Sequence, residues 1–165
     1  MNVKKENAEW QKIIDLAARD NRLHILNETF SRSEVMGLIQ TCDAYVSLHR
    51  AEGFGRILAE SMLLKKPVIA TNFSGNTDFC DEKTAFMVNG PLIPIKPHEY
   101  ADWENQFWCD PNIDEAAEQM KLCYENEALR IKLAENGCAL IQSNYSSKTV
   151  GDHYRKRLKA LSMIT

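Results

Sequence analysis

The stretch AYVSLHRAEGFGRILAESMLLKKPVIAT, residues 44–71, decides the fold. It contains two short apolar runs, at 44–48 and 67–71, separated by a loop with two glycines and a helical segment over about 56–65. Nearly continuous apolar runs are typical of parallel strands that are covered on both faces. A strand, a helix and a second strand in this order predict a crossover connection in a parallel sheet.

The alternation of helices and strands continues on both sides of this stretch. We predict a helix over 8–19, a strand at 23–26, a second helix behind the capping box Ser31–Glu34, and a weaker strand at 85–88. Residues 90–112 are rich in proline, contain two tryptophans and show no clear period, so we expect a long irregular loop there. Helices at 113–125, 127–143 and 147–161 follow. The prediction is an α/β fold, a Rossmann-like doubly wound parallel sheet, in a single domain over residues 1–165.

Composition and charge exclude several classes of protein. The 165 residues contain 20 Lys and Arg against 23 Asp and Glu, a net charge of −3, whereas nucleic-acid binders usually carry a basic excess. No apolar run approaches the ~20 residues that a membrane-spanning helix needs. The N-terminus lacks the apolar stretch of a secretory signal. We therefore expect a soluble, cytoplasmic protein that does not bind nucleic acid, with the inner face of the membrane as an alternative location.

The cysteines and histidines do not suggest a metal site. Five cysteines, an odd number, include no Cys-x-x-Cys pair, and the four histidines do not cluster with them. We expect no bound metal, and reduced thiols in or near a core.

The candidate site is the segment SLHRAEGFGRILAE, from Ser47 to Glu60. In an open parallel sheet, ligands bind beyond the carboxyl ends of the strands, where loops lead into helix N-termini. Gly53 and Gly55 allow a tight turn and a close approach to a ligand. The helix that follows presents free N–H groups at about Gly55 to Ile57, which are suited to a phosphate or diphosphate.

Two glutamates flank this phosphate seat. Glu52 can direct its carboxylate at hydroxyl groups beside the phosphates, and Glu60 can accept two hydrogen bonds from a vicinal diol such as a ribose. A diol, a diphosphate and sugar hydroxyls in sequence describe a nucleotide-sugar.

The spacing of Glu52 and Glu60 within AEGFGRILAES resembles the signature of the retaining GT-B glycosyltransferases, especially glycosyltransferase family 4, also called the glycosyl transferases group 1. The strand PVIAT, the small-residue loop Ser74-Gly75-Asn76 and the strand AFMV follow in the order of that family's C-terminal, donor-binding domain. The resemblance covers about residues 20 to 145.

The resemblance implies roles for individual residues. Glu60 matches the glutamate that binds the nucleotide ribose, and Glu52 matches the one that contacts the transferred sugar and shapes the reaction site. The donor-binding set then comprises Glu60, Gly53, Phe54, Gly55, Arg56 and Ile57, with Asn27, Glu28 and Phe30 in the loop beside the base. No cofactor or metal is implied, because basic side chains and the helix dipole stabilise the leaving diphosphate.

One departure from the family is large. The family's donor domain begins with strands and a basic segment that precede the helix at 8–19, and an N-terminal acceptor domain comes before them. We therefore expect this chain to be a fragment, truncated at its N-terminus, that is inactive alone and partners the missing acceptor domain.

Three further residues of the site region have two interpretations each. His49 and Arg50 either touch phosphate or acceptor, or they serve loop packing and solvation. Asn76 lies with Asp78 on the next strand-to-helix loop, and it either lines the same crevice or does not reach it.

Two features outside this region also remain open. Trp103 and Trp108 contact either an acceptor or another domain, or they anchor the core. The basic amphipathic helix at 147–161 is compatible with a peripheral membrane contact, but packing on its own domain is commoner and is favoured here.

The function that follows is binding of a nucleotide-sugar donor for transfer of a hexosyl group, with retention, to a saccharide or lipid-linked acceptor, as in polysaccharide biosynthesis. The alternatives are a GT-B relative such as a nucleotide-sugar epimerase, and a non-catalytic nucleotide-binding module.

Overall fold

The structure, a computed structural model, describes residues 8–164 and divides into two compact units. The first unit ends at Val35 and the second begins at Met36. The candidate site segment lies wholly in the second unit.

The N-terminal unit consists of a helix and a loop. Helix α1 (Ala8–Arg19) forms as predicted, although none of its residues is buried. The capping box is also confirmed: the Ser31 backbone N–H donates to the Glu34 carboxylate over 2.7 Å, and the Glu34 N–H donates to Ser31 Oγ over 3.3 Å. It starts helix α2 (Arg32–Thr41), which continues into the second unit.

The predicted strand at 23–26 is wrong. These residues form no strand, and Leu23 and Leu26 are more than half exposed. A strand exists only where a neighbouring strand accepts and donates its backbone hydrogen bonds, and a run of four residues with three apolar side chains carries no information about such a neighbour.

The second unit contains a parallel sheet of three strands, β1 (Tyr45–Ser47), β2 (Val68–Thr71) and β3 (Phe86–Val88), in the order β1-β2-β3. Helix α3 (Arg56–Leu63) is the crossover between β1 and β2. The predicted βαβ arrangement is therefore confirmed, with Val46 opposite Ile69 and Ala70 opposite Met87.

Helices cover both faces of the sheet. On one face, Leu58 and Met62 of α3 pack with Val68 and Ala70 of β2. On the other face, Ile69, Phe86 and Val88 pack with residues of helix α4 (Ile113–Glu125). Helix α5 (Glu127–Asn144) contributes to both clusters. The side chains of β2 alternate between the two cores, which explains its continuous apolar sequence.

Helix α6 (Ser147–Ala160) ends the fold and has no buried residue. Ser146 caps its N-terminus, since Ser146 Oγ accepts from the Thr149 N–H over 3.2 Å. Within residues 8–164, no helix combines the length and the apolar character that crossing a membrane would require.

Residues 90–112 are more ordered than the sequence predicts. Strands β4 (Leu92–Pro94) and β5 (Phe107–Cys109) pair as an antiparallel hairpin. The expectation of an irregular loop is wrong because these strands have three residues each, too few to show a period. Their position depends on contacts with distant residues, described below.

The cysteines are free, and four of the five are buried as expected. Cys42 is the exception, since it is exposed after the end of α2. Desolvation in the core raises the pKa of Cys80 to about 12.

Candidate functional site

Two loops that follow neighbouring strands lie against each other at the carboxyl edge of the sheet. The loop after β1 carries Glu52, whose backbone N–H donates to Ser74 Oγ over 2.7 Å. Its carbonyl accepts from the Gly75 N–H over 3.0 Å. A Cβ atom at Gly75 would lie 2.0 Å from the Gly53 carbonyl oxygen, so only glycine permits this approach. We call residues 49–55 the site loop and these contacts to Ser74 and Gly75 the loop clamp.

The turn into α3 depends on Gly55. Its φ is 84° and its ψ 53°, in the left-handed region, and a Cβ atom there would lie 2.8 Å from Leu58 Cδ1. Gly53 differs, because a Cβ atom there would meet no atom within 4 Å. Sequence reasoning attributed the tight turn to Gly53 and Gly55, whereas the structure requires glycine at Gly55 and Gly75. The predicted approach of Gly53 to a ligand stays a prediction.

The N-terminus of α3 has the features of an anion seat. Gly55 precedes the helix and provides no side-chain cap, so the N–H groups of the first turn, including those of Arg56 and Ile57, have no intrahelical acceptor. The Arg56 side chain is largely exposed beside them. Free N–H groups, the positive end of the helix dipole and a guanidinium together favour a phosphate or diphosphate.

Glu60 lies one turn inside the same helix and is only 7% exposed. Its Oε1 atom is 3.9 Å from Arg56 Nε. Most glutamates are solvated at the surface, and Glu60 is not one of them. Burying a carboxylate is costly unless polar partners compensate. Its position at the edge of the anion seat is suited to a hydroxyl-bearing group attached to a phosphate.

The Glu52 side chain is partly buried, and its carboxylate has no hydrogen-bond partner among residues 8–164. It lines a groove of about 610 Å³ that lies between the site loop and the region 95–108. Both oxygens of this carboxylate are therefore available to a ligand in the groove.

His49 is held by hydrogen bonds at both ring nitrogens. Asn76 Nδ2 donates to the Thr71 carbonyl over 2.9 Å, which leaves Asn76 Oδ1 as the acceptor for His49 Nε2 at 3.0 Å. Nδ1 of the neutral ring then accepts from Ser47 Oγ at 3.0 Å. Asn76 is fully buried. This geometry fits the loop-packing interpretation of His49 and gives Asn76 a structural role at the base of the site loop.

Arg50 connects the site loop to the hairpin. Its carbonyl accepts from the Cys109 N–H over 2.9 Å, and its guanidinium donates to Asp110 over 2.8 Å. The same guanidinium lies 5.6 Å from the centre of the Trp108 ring. The Arg50 charge is thus paired at the base of the hairpin.

The Phe54 ring packs within the protein. Its ring centre lies 5.0 Å from that of Phe79 and 5.6 Å from that of Tyr145. This packing holds the site loop against Phe79, which follows the 75–78 turn, and against Tyr145 at the end of α5. The Phe54 backbone remains the part of this residue suited to the donor-binding role that the resemblance implies.

Three predicted donor residues lie outside this unit. Asn27, Glu28 and Phe30 are in the N-terminal unit, in the loop between α1 and α2, where Phe30 is partly buried and the other two are exposed. Their place beside a nucleotide base stays a prediction. Across residues 8–164, no group of three His, Cys, Asp or Glu side chains is arranged to hold a metal ion.

Sequence reasoning missed the loop clamp. Ser74 and Gly75 were noted only as small residues in the family's order, without a contact to Glu52. The available signal was that loops after adjacent parallel strands meet at the same edge, which predicts proximity but not the partners.

Comparison with known proteins supports the fold of this unit. HepE from Anabaena, crystallised with UDP-glucose, superimposes with a TM-score of 0.68 at 20% identity, over 95% of this chain and 38% of HepE. The C-terminal domain of LpcC, a glycosyl transferase group 1 family protein of Francisella tularensis, superimposes with a TM-score of 0.61 at 20% identity, over 84% of this chain and 62% of that domain. At these identities the likeness establishes the fold, which is that of the GT-B C-terminal domain.

The sequence comparisons identify the family. An uncharacterized glycosyltransferase of Methanocaldococcus jannaschii is 30% identical over 129 residues, which are 78% of this chain and 31% of the archaeal protein. The chain thus spans about a third of the length of that relative. The sequence model of the glycosyl transferases group 1 matches residues 4–139, and because this match covers most of the chain, the protein belongs to the glycosyl transferases group 1 family.

Proposed function

We propose that this chain is the donor-binding part of a retaining glycosyltransferase of family 4, which transfers a hexosyl group from a nucleotide-sugar to a saccharide or lipid-linked acceptor. The observation that carries the proposal is the N-terminus of α3, which follows a left-handed glycine, with Glu52 three residues before that glycine and the buried Glu60 one turn inside the helix. An anion seat with a carboxylate on each side fits a diphosphate that has a hydroxyl-bearing group at each end.

The diphosphate binds at the first turn of α3. Its oxygens accept hydrogen bonds from the backbone N–H groups at Arg56 and Ile57, and the Arg56 guanidinium adds a positive charge. As the glycosidic bond breaks, negative charge increases on the leaving diphosphate. The preorganised N–H groups stabilise that charge, which lowers the barrier to transfer.

The two glutamates bind the two ends of the donor. Glu60 accepts hydrogen bonds from the ribose hydroxyls, a part of the donor that does not change during the reaction. Glu52 faces the hexosyl group, whose anomeric carbon gains positive charge in the transition state. The loop clamp fixes the Glu52 backbone, so the carboxylate is presented without reorganisation.

A uridine diphosphate sugar is the first donor to test, because HepE, which shares the fold, was crystallised with UDP-glucose and with UDP. We expect UDP-glucose to bind to this chain and to raise its thermal midpoint. At a ligand concentration ~100 times the dissociation constant, binding adds roughly 2.7 kcal/mol to the free energy of unfolding.

The decisive variant is Glu60→Gln, with Glu118→Gln, an exposed glutamate on α4, as the matched control. A hydrogen bond to a charged group is worth ~1.5–3 kcal/mol, so Glu60→Gln should weaken UDP-glucose binding roughly 10- to 150-fold in calorimetry. Glu118→Gln should leave the dissociation constant unchanged. Equal affinities for the two variants would contradict the proposed ribose contact.

Kinetics separate the two glutamates once an acceptor domain completes the enzyme. Glu60→Ala should mainly raise the donor KM, because it removes binding that ground and transition states share. Glu52→Gln should mainly lower kcat. The anomeric configuration of the product, read by NMR, tests retention, and a free altered sugar in place of a new glycosidic bond would favour an epimerase.

A further inference from the structure

We propose that the groove between the site loop and the β4–β5 hairpin binds a neutral saccharide, the acceptor end of the reaction. The inference rests on the proposed function, because that function places the transferred hexosyl group at Glu52. It assigns the hairpin, for which the sequence indicated no structure, a role in acceptor recognition.

The hairpin is fixed to the site loop by its base. The Cys109 N–H donates to the Arg50 carbonyl, and the Arg50 guanidinium pairs with Asp110. A Cβ atom at Gly90 would lie 2.1 Å from the Asp110 carbonyl oxygen, so the entry to β4 is tightly packed against the exit of β5. Because both walls share these anchors, the width of the groove is defined before any ligand arrives.

The groove continues directly from the proposed reaction site. One wall is the backbone and side chains of Arg50 to Gly53, including Glu52. Glu52 is shared, because it lines the groove and lies three residues before Gly55 at the diphosphate seat. A ligand in the groove therefore lies against the residue that the proposed function places at the hexosyl group, which is where an acceptor must approach.

The opposite wall combines aromatic surface with unpaired polar groups. Tyr100 is 65% exposed and Phe107 is 52% exposed, an unusual exposure for two aromatic side chains in one short segment. The side chains of Tyr100, Asp102 and Gln106 have no hydrogen-bond partner among the described residues. Aromatic faces pack against the C–H faces of a pyranose, while carboxylate and amide oxygens accept from its hydroxyls.

The charges select a neutral ligand. Among the described residues that line the groove, Arg50 is the sole cation, and its charge is paired with Asp110. Glu52 and Asp102 contribute two carboxylates to the same lining. Like charges repel at this range, so an anionic saccharide or a second nucleotide is disfavoured.

The test is an NMR titration of this chain with three neutral disaccharides, maltose, cellobiose and lactose, and with digalacturonic acid as the anionic counterpart. We expect at least one neutral disaccharide to shift the indole N–H signal of Trp108, assigned with Trp108→Phe, and digalacturonic acid to leave it in place. Saturating UDP-glucose should not displace the disaccharide. Tyr100→Ala should weaken the neutral disaccharide roughly tenfold. Tyr124→Ala, at an exposed tyrosine of α4, should not.

Three results would overturn the inference. The first is no shift of the Trp108 signal with any neutral disaccharide, and the second is equal binding of digalacturonic acid. The third is displacement of the disaccharide by UDP-glucose, which would make the groove part of the donor site. UDP-glucose binding to the Tyr100→Ala variant, followed by thermal shift, reports on the donor site alone. If the unsubstituted chain binds UDP-glucose but none of the neutral disaccharides, the groove assignment is refuted and the proposed function stands. Disaccharide binding without any UDP-glucose binding refutes the donor site, and the acceptor assignment with it.

Discussion

Helices α1 and α3 have similar apolar content but different surroundings. In α3, Leu58 is 1% exposed and Met62 is fully buried, and both pack on the sheet. In α1, Ile13 is 49% exposed, Leu16 is 59% exposed, and no residue is buried. The side-chain pairs of α1, such as Lys12 with Glu9 at 2.7 Å, are local to the helix.

This difference separates two sources of helical structure. Local hydrogen bonds and ion pairs contribute roughly 0.2–0.5 kcal/mol per pair to α1, whose position in the sequence is predicted by its helical apolar period. Burial of a stripe of side chains against a sheet contributes most of the stability of a helix such as α3. A helical period therefore predicts that a helix forms, but it does not predict what the helix covers.

The largest expected effect comes from matched leucines in the two helices. Leu58→Ala should lower the free energy of unfolding by ~2–5 kcal/mol, because it leaves a cavity between α3 and the sheet. Leu16→Ala should change it by less than ~0.5 kcal/mol, since that side chain is mostly solvated. Urea denaturation of both variants measures the difference, and similar losses would mean that the apolar face of α1 is as important as that of α3.

The next comparison concerns glycines of the loop clamp. Gly75→Ala forces a Cβ atom onto the Gly53 carbonyl, so we expect a loss of ~1–3 kcal/mol of stability together with weaker UDP-glucose binding. Gly53→Ala meets no protein atom within 4 Å and should stay within ~0.5 kcal/mol of the parent. Denaturation and calorimetry on both variants test this, and a more severe Gly53→Ala would refute the clamp geometry.

A buried amide and a solvated amide give a smaller contrast. Asn76→Ala removes one of the two donors to the Thr71 carbonyl, which keeps the Phe73 N–H, and removes the partner of His49 Nε2, which should cost ~1–3 kcal/mol. Asn21→Ala, at an exposed turn residue of the N-terminal unit, should have almost no effect. Thermal unfolding compares them, and equal midpoints would show that the buried network contributes little.

The smallest effect is a difference in the alkylation rates of two cysteines, Cys42 and Cys80, and it involves no change in stability at neutral pH. Near pH 8, about the usual pKa of a thiol, iodoacetamide should modify exposed Cys42 quickly and Cys80 only after unfolding, because burial raises the Cys80 pKa to about 12. The folded protein keeps this thiol protonated while the unfolded chain ionises it. The contribution of this thiol to stability should thus be constant below the unfolded-state pKa and decline as the pH rises toward about 12. Mass spectrometry of peptides from alkylated native protein locates the label, and early labelling of Cys80 would contradict its burial.

Much of the candidate site was predictable because its signals are local. The residues around Gly55 follow a strand and precede a helix. Both elements can be predicted from the apolar periodicity in a sequence window of about fifteen residues. The eight-residue spacing of Glu52 and Glu60 is visible in the sequence, and the family resemblance was sufficient to interpret it as a donor-binding motif. The contacts that hold these residues in place, to Ser74, Gly75 and Asp110, come from loops that lie 20 to 60 positions further along the chain, and no local pattern indicates them.

The amino-acid sequence by itself determined the order of the elements over residues 44–88 and 113–161, the parallel sheet and the segment in which the site lies, because each depends on patterns of neighbouring side chains. Only the tertiary structure decided that residues 23–26 form no strand, that Glu60 is buried, that Gly75 and not Gly53 requires glycine, and that residues 90–112 form a hairpin anchored on Arg50. Each of these depends on which distant atoms fill the space around a residue. Pairing and burial are properties of the folded neighbourhood, and a local pattern can only show that a residue is suited to them.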